Sequence, residues 1–288
     1  MNVRKAVIPA AGFGTRFLPA TRTIPKVMIP VLDRPTIHFA VEEAAEAGIE
    51  QVILVVSRDH RATGDYFDHI PALDAFLKER GNERLLEEMS KISDMVETVS
   101  VYQDEQRGLG HAVLMAKDAV GDEPFAVFLP DDIIWSESPT IGSMIEVFSE
   151  YEAPIIAVKE VPDEAVPNLG IVDPRPVSEL VSEIVAMVEK PKLEDAPSNL
   201  AIIGRYVLTP DVFDALEEIQ PGAIGELQLT DAIDVVRRTR RAYAYRFPGT
   251  HFDVGVPAGL LKASVYAALH RDDMAEDFRK WLNETSLA

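Results

Sequence analysis

The sequence predicts an α/β protein built on a mixed, mostly parallel sheet flanked by helices, and three observations predict it. Short apolar runs of strand length alternate with stretches of helical periodicity from residue 5 onwards, the pattern of βαβ units. Proline and glycine punctuate the first unit where its helix should start and stop, at Pro35 and Gly48. The 288 residues are 47% hydrophobic and 26% charged, enough to bury a sizeable core.

Taken in order, strands are expected in "KAVIPA" (5–10), "QVILVVS" (51–57), "VSVYQ" (99–103), "PFAVFLP" (124–130), "PIIAVKEV" (154–161), "SEIVAMVEK" (182–190), "NLAIIGRYVL" (199–208) and "AYAYRF" (242–247). Helices are expected in "PTIHFAVEEAAEAG", "GHAVLMAKDAV", "IGSMIEVFSEY", "PDVFDALEEI", "LQLTDAIDVVRR" and "PAGLLKASVYAALH". The charged stretch at about 73–97 carries Leu77, Leu85, Leu86, Met89, Ile92 and Met95 at helical spacing. It reads as helices inserted between two strands at the rim of the sheet. No repeat, low-complexity tract or clear linker breaks the chain, so one domain over residues 1–288 is the expectation.

Charge narrows the function classes. Against 28 basic residues stand 48 acidic ones, a net charge of −20 whose field repels nucleic acid, acidic membranes and free nucleotides. No nucleic-acid or membrane partner is expected. No apolar stretch approaches the roughly 18 residues of a membrane span, and the opening run is too short for a signal peptide, so the expected location is cytoplasmic. With no cysteine in the chain, disulfides, thiolate metal sites and cysteine nucleophiles are excluded. A polyphosphate substrate would need its charge met locally, by a few placed cations and a divalent metal.

The stretch "AAGFGTRFLP" at residues 10–19 follows the first strand. It lacks the third glycine of a dinucleotide fingerprint, because residue 17 is Phe17, and it lacks the Gly-Lys of a Walker A loop, where it has Phe17 and Leu18. What remains, Gly12, Phe13, Gly14, Thr15 and Arg16, is a flexible backbone with free amides and one fixed cation, which suits an anion cradle and equally a turn with a surface arginine. Ligands of open α/β sheets bind beyond the carboxyl ends of the strands. There the chain places Gln103 followed by "RGLGHAV", then "PDD" with Asp131 and Asp132, "EKP" with Glu189 and Lys190, and "HFDVG" with Asp253. Asp131 and Asp253 could share a Mg²⁺ completed by substrate phosphates. Asp132 reads as a turn or helix cap, and an Asx turn before Gly255 is the other reading of Asp253. Lys26 lies between two prolines in "TIPKVMIP" and, with Arg16 and Lys190, could supply the local positive charge. Gly108 and Gly110 permit close approach to a flat ligand, while capping or packing is the default for His111.

Together, "AAGFGTRFLPATRTIPKVMIP", "QRGLGHAV", "FLPDD", "VEKP", "APSNLAIIGRYVL", "GELQLTDAI" and "FDVG" closely resemble, in order and over nearly the whole chain, the bacterial UTP–glucose-1-phosphate uridylyltransferases, or UDP-glucose pyrophosphorylases. The resemblance implies a Rossmann-like nucleotidyltransferase fold, Mg²⁺ as cofactor, and transfer of UMP from UTP to glucose 1-phosphate with release of pyrophosphate. It implies Ala11, Gly12, Gly14, Thr15, Gln103, Gly108 and Gly110 around the nucleotide, with Gln103 and Gly108 at the uracil edge. Arg16, Lys26 and Lys190 become the catalytic cations, and Asp131 and Asp253 the metal carboxylates. Asp132, Gly170, Glu189, Lys190, Asn199 and Glu226 fall to the sugar phosphate.

The chain departs from the family pattern at Val27, where an acidic residue is usual beside the phosphate lysine, and at Leu169, Ile224 and Val256. These changes leave open another sugar 1-phosphate or dTTP as substrate, or a non-catalytic regulatory paralogue. The resemblance also implies a homodimer or homotetramer. The helix "MAEDFRKWLNE" could make that contact or dock onto its own domain.

Overall fold

The computed structural model describes residues 2–58, 61–222 and 225–285; Ile224 lies outside them. Among the described residues, thirteen strands follow in chain order. They are β1 (Lys5–Pro9), β2 (Pro30–Val31), β3 (Arg34–Pro35), β4 (Gln51–Val56), β5 (Glu97–Tyr102), β6 (Phe125–Phe128), β7 (Asp132–Trp135), β8 (Ile155–Glu160), β9 (Gly170–Pro176), β10 (Val181–Glu189), β11 (Leu200–Leu208), β12 (Tyr243–Arg246) and β13 (Thr250–Asp253). Nine of them form one sheet in the order β5-β4-β1-β6-β11-β8-β12-β10-β9, while β7 pairs with β13 and β2 with β3 as separate two-stranded ribbons.

The first half of the sheet is parallel, as the βαβ pattern requires: β5, β4, β1 and β6 run side by side in one direction. Strand β11 then enters antiparallel between β6 and β8, and β10 runs against both β12 and β9, so the sheet is mixed. Ala201 of β11 pairs with Lys159 on one side and with Ile171 of β9 on the other, the side that β6 occupies further along the strand. The long β9–β10 hairpin therefore bends back and brings its open end, Gly170 and Glu189, to the rim where β6 ends.

Alternation along β1, β4 and β6 fills two cores. Ala6, Ile8, Val52, Leu54, Ala126 and Phe128 face the layer that includes the helices Thr36–Glu46 and Thr140–Tyr151. Val7, Ile53, Val55, Phe125 and Val127 face the helices Leu109–Leu114, Asp211–Glu218 and Leu229–Thr239. The inserted stretch forms the helices Pro71–Glu79 and Glu83–Ser93 ahead of edge strand β5, and Ile92 and Met95 pack against the first core.

Three expectations differ. "GHAVLMAKDAV" is two short helices, Leu109–Leu114 and Lys117–Val120, and no breaker in the sequence marks the division. Strand β9 was hidden by Pro174 and Pro176, which an edge strand tolerates because its outer backbone needs no partner. Strands β7 and β13, four residues each, are too short for their alternation to register. The C-terminal helix Ala275–Glu284 packs on the helix Pro257–Leu269 and leaves Trp281 53% exposed.

Candidate active site

Two groups of polar residues gather beyond β1, β6 and the start of β11. The first is organised around Lys26. Beyond β1 the backbone is held by Ala10 N donating to Val55 O, and by Gln106 Nε2 donating to the carbonyl of Ala11 at 2.6 Å. Gly12 then turns outward, with no atom within 4 Å of where its Cβ would stand. Gly14 is left-handed at φ 62°, and a Cβ there would come within 2.7 Å of Lys26 Cβ; Thr21 Oγ1 holds its carbonyl at 2.8 Å. The glycine loop is thus folded directly onto the lysine. Gly14→Ala is expected to strain the turn and push Lys26 aside, lowering kcat by about tenfold or more in a steady-state assay while the circular dichroism spectrum is unchanged.

Lys26 Nζ donates to Asp131 Oδ2 at 2.6 Å. Burial works to raise the Asp131 carboxyl, but the lysine's charge and hydrogen bond, with a backbone bond and the nearby Arg16, outweigh it and hold the group below the usual carboxylate range. Arg16 and Lys26 therefore act on one spot. Asp253 faces it too. A Cβ on the buried Gly255 would lie 2.7 Å from Asp131 Oδ2 and 2.9 Å from Asp253 Oδ1, so the two carboxylates converge on one point. The Asx turn is present as well, Gly255 N donating to Asp253 Oδ1 at 2.9 Å. Burial, and then the like charges of Asp132 and Asp131, raise the Asp253 carboxyl. Two convergent carboxylates, of which Asp253 has no ion-pair partner among the described residues, are a donor set suited to a hard divalent cation completed by phosphate oxygens. Among the described residues no group of three or more His, Asp or Glu forms a cage made of protein alone.

Asp132 corrects an expectation. Both its oxygens are engaged inside the protein, Oδ1 by His251 Nε2 at 2.6 Å and Oδ2 by the backbone N–H of Gly204 at 3.2 Å. It ties the β7–β13 ribbon, which carries Asp253, to β11 instead of facing a sugar phosphate.

The second group is organised around Glu189. Its partner across the hairpin is Gly170, and a Cβ on Gly170 would stand 3.1 Å from Glu189 Oε2. Thr230 Oγ1 donates to that same oxygen at 2.8 Å, and Lys190 Nζ lies 3.5 Å from Oε1. Lys190 adopts φ 48°, its N–H bonded to the carbonyl of Leu169, which turns its half-exposed side chain back alongside Glu189. Lys190 thus belongs to this group. Asn199 is exposed where β11 begins, its carbonyl accepting from Val161 N. Tyr206 joins the groups: burial pushes its hydroxyl up, and the charges of Asp132, Glu189 and Asp131 all add to the shift.

Around Gln103 the structure revises the glycines. Gln103 is 5% exposed, its Nε2 2.8 Å from His111 Nδ1. Gly108 has φ 98°, and a Cβ there would lie 2.7 Å from the carbonyl of Leu227; Gly110 N donates to that carbonyl at 2.9 Å and is buried against Leu216. The close approach these glycines allow here is to the 226–228 backbone, and Gly110, expected beside the nucleotide, is buried in that contact. The same contact brings Glu226 beside Gly108, its carboxylate accepting from Gln228 Nε2 at 3.2 Å.

Four contributors escaped the sequence reading. Thr230, Gln106 and His251 carry no signal beyond their polarity. Arg205 does, as a charge inside the apolar run "NLAIIGRYVL". Its side chain is 1% exposed and bonds Glu43 Oε2 through Nε at 2.9 Å and Nη2 at 2.8 Å, lies over the Phe128 ring, and reaches the carbonyl of Leu129 at 3.2 Å. It fixes the segment that leads into Asp131. Two cavities, of 220 and 690 Å³, lie around Trp135 and include no residue of either group.

An α/β sheet with a glycine loop, a lysine–aspartate pair and a second carboxylate at one rim defines a phosphate-handling protein. The Nucleotidyl transferase family model matches residues 5–268, and the chain belongs to that family. Within it, the chain is 45% identical over 286 residues, 99% of each, to the UTP–glucose-1-phosphate uridylyltransferase of Staphylococcus epidermidis. It is 46% identical over the same share to UTP–glucose-1-phosphate uridylyltransferase 2 of Staphylococcus saprophyticus. Among solved structures it resembles UTP-bound UGPase from Acinetobacter baumannii, with a TM-score of 0.92 and 40% identity over 99% of this chain and 100% of that one. A UDP-glucose pyrophosphorylase complexed with UDP-glucose matches at TM-score 0.86 and 42% identity, over 94% and 100%.

Proposed function

We propose that this chain transfers UMP from UTP to glucose 1-phosphate, giving UDP-glucose and pyrophosphate, with Mg²⁺ held by Asp131 and Asp253, and that it works as one nucleotidyltransferase domain. The observation that carries the reading is the convergence of Asp131 and Asp253 on Gly255 with Lys26 bonded to Asp131. The near full-length likeness to uridylyltransferases supports the choice of substrates.

The sugar phosphate oxygen is already an anion at neutral pH, so it can attack the α-phosphorus of UTP in line, without a general base. Nothing in the two groups has to remove a proton. The bound metal would neutralise phosphate charge and bring two anions together. Lys26 and Arg16 would clamp the triphosphate and stabilise the departing pyrophosphate. Glu189 would accept hydrogen bonds from sugar hydroxyls, oriented by Thr230, with Lys190 placing positive charge beside them for the sugar phosphate. Gln103 would meet the uracil edge. Val27 is 3% exposed within the core, so its departure from the family pattern withdraws no group from the rim.

The test is pyrophosphate release from UTP by the purified protein against a panel of sugar 1-phosphates. Release is expected only with glucose 1-phosphate and Mg²⁺ both present. Equal turnover with dTTP, or none with any sugar phosphate, would overturn the reading. Within the same assay, Thr230→Val is expected to raise KM for glucose 1-phosphate by about fivefold, with little change in KM for UTP, because it frees Glu189 to rotate.

A further inference from the structure

The Gln103 side chain has two unlike ends, and which one faces outward decides which base it accepts. We propose that His111 is a positioning residue that fixes the direction of the Gln103 amide and thereby makes the site select uracil over cytosine; the inference rests on the uridylyl transfer proposed above. His111 is 8% exposed, its Nδ1 2.8 Å from Gln103 Nε2. Burial and the neighbouring Arg107 lower the ring's proton affinity, opposed in part by the Glu105 backbone carbonyl, so the imidazole is neutral. A neutral ring can accept from the amide N–H at Nδ1 only if its own proton sits on Nε2.

That arrangement leaves Oε1 as the free end of the amide. Among the described residues Thr63 Oγ1 is the one sealed side-chain polar atom without a hydrogen-bond partner, and no described residue bonds Gln103 Oε1. Oε1 is therefore unsealed as well as unbonded. The surrounding backbone is fixed: Gln103 N donates to Val56 O at 2.9 Å, and the helix bearing His111 is anchored by Gly110 N on Leu227 O. An outward carbonyl oxygen accepts from the N3–H of uracil and meets a lone pair at N3 of cytosine. Without the ring acceptor the amide is free to turn over and offer its NH₂ to cytosine.

The test compares kcat/KM for UTP and CTP at saturating sugar phosphate. In His111→Phe, which keeps a ring but removes the acceptor, the preference for UTP is expected to fall by about tenfold, chiefly through KM, with kcat for UTP changing less. Gln103→Ala is the control and should lower the preference at least as far. If Gln103→Ala lowers it and His111→Phe leaves it at the wild-type value, this proposal is overturned and the base reading by Gln103 stands. If neither variant changes the preference, both fall. A long-range ¹H–¹⁵N spectrum of the wild-type protein needs no variant to fold: it should show His111 protonated at Nε2, and protonation at Nδ1 overturns the proposal.

Discussion

Asp131→Asn is expected to lower kcat by about a thousandfold or more while the protein stays folded, because it removes charge from the point on which Lys26, Arg16 and Asp253 converge. Asparagine keeps the shape and can still accept one hydrogen bond from Lys26. What is lost is the anionic oxygen that the proposed metal needs. The informative comparison is Asp132→Asn one residue along, whose oxygens bond His251 and Gly204. There the expected loss is smaller, about ten- to hundredfold, since it acts by loosening the ribbon that carries Asp253. Equal losses at the two positions would mean that only the local backbone matters. The Lys26–Asp131 pair also has a pH signature. A carboxyl held below its usual value contributes stability that is fully present above the ordinary carboxylate pKa of about 3.9 and is lost as pH falls through the lowered value. The stability advantage of wild type over Asp131→Asn, followed by thermal unfolding, is expected to shrink on acidification below pH ~4.

Arg205→Ala is expected to have the largest effect on stability. It would leave Glu43 in the core facing no cation, with only Ile141 N still donating to it, and would take from the Leu129 carbonyl one of its two donors, leaving Asp132 N. Breaking a buried pair from one side costs about 3–5 kcal/mol, enough to lower the melting temperature by roughly 10 °C in a chain of this size. The cost comes from the unpaired charge and not from the pair's own worth. Arg205→Met combined with Glu43→Leu should therefore regain at least half of the loss. Calorimetry of both variants checks this, and a loss under about 1 kcal/mol in Arg205→Ala would show the pair to be dispensable. Since Leu129 N also donates to Gly204 O, loosening this segment should reach Asp131 two residues on and reduce turnover even below the melting point.

These two residues mark what the sequence makes legible. Asp131 is legible because it closes an apolar run at a strand end, where α/β sheets bind ligands, and Lys26 because two prolines brace it. Neither reading needs a long-range contact. Arg205 and Glu43 lie 162 residues apart, and no local pattern on the helix Thr36–Glu46 announces that one of its glutamates turns inward. The sequence sets Asp131 apart as a metal carboxylate and Asp132 as a cap, but not the reason: β7 begins at Asp132 and sets it opposite Asp253. Gly108 and Gly110 are read from the sequence as points of close approach to a flat ligand, whereas the neighbour that the structure sets against them is the 226–228 backbone, over a hundred residues along the chain. The parallel half of the sheet follows from periodicity alone. The reversal at β11 and the return of the β9–β10 hairpin to the β6 end depend on pairings that sequence periodicity does not encode.

The most direct test is a titration of Mn²⁺, standing for Mg²⁺, into the protein with UDP-glucose, followed by electron paramagnetic resonance. One bound ion is expected, with its affinity reduced about tenfold or more in Asp131→Asn and in Asp253→Asn taken singly, and undiminished in a variant of a distant carboxylate such as Glu87→Gln. Equal affinity in all four proteins, or full turnover in solution stripped of divalent ions, would contradict the shared site at the rim.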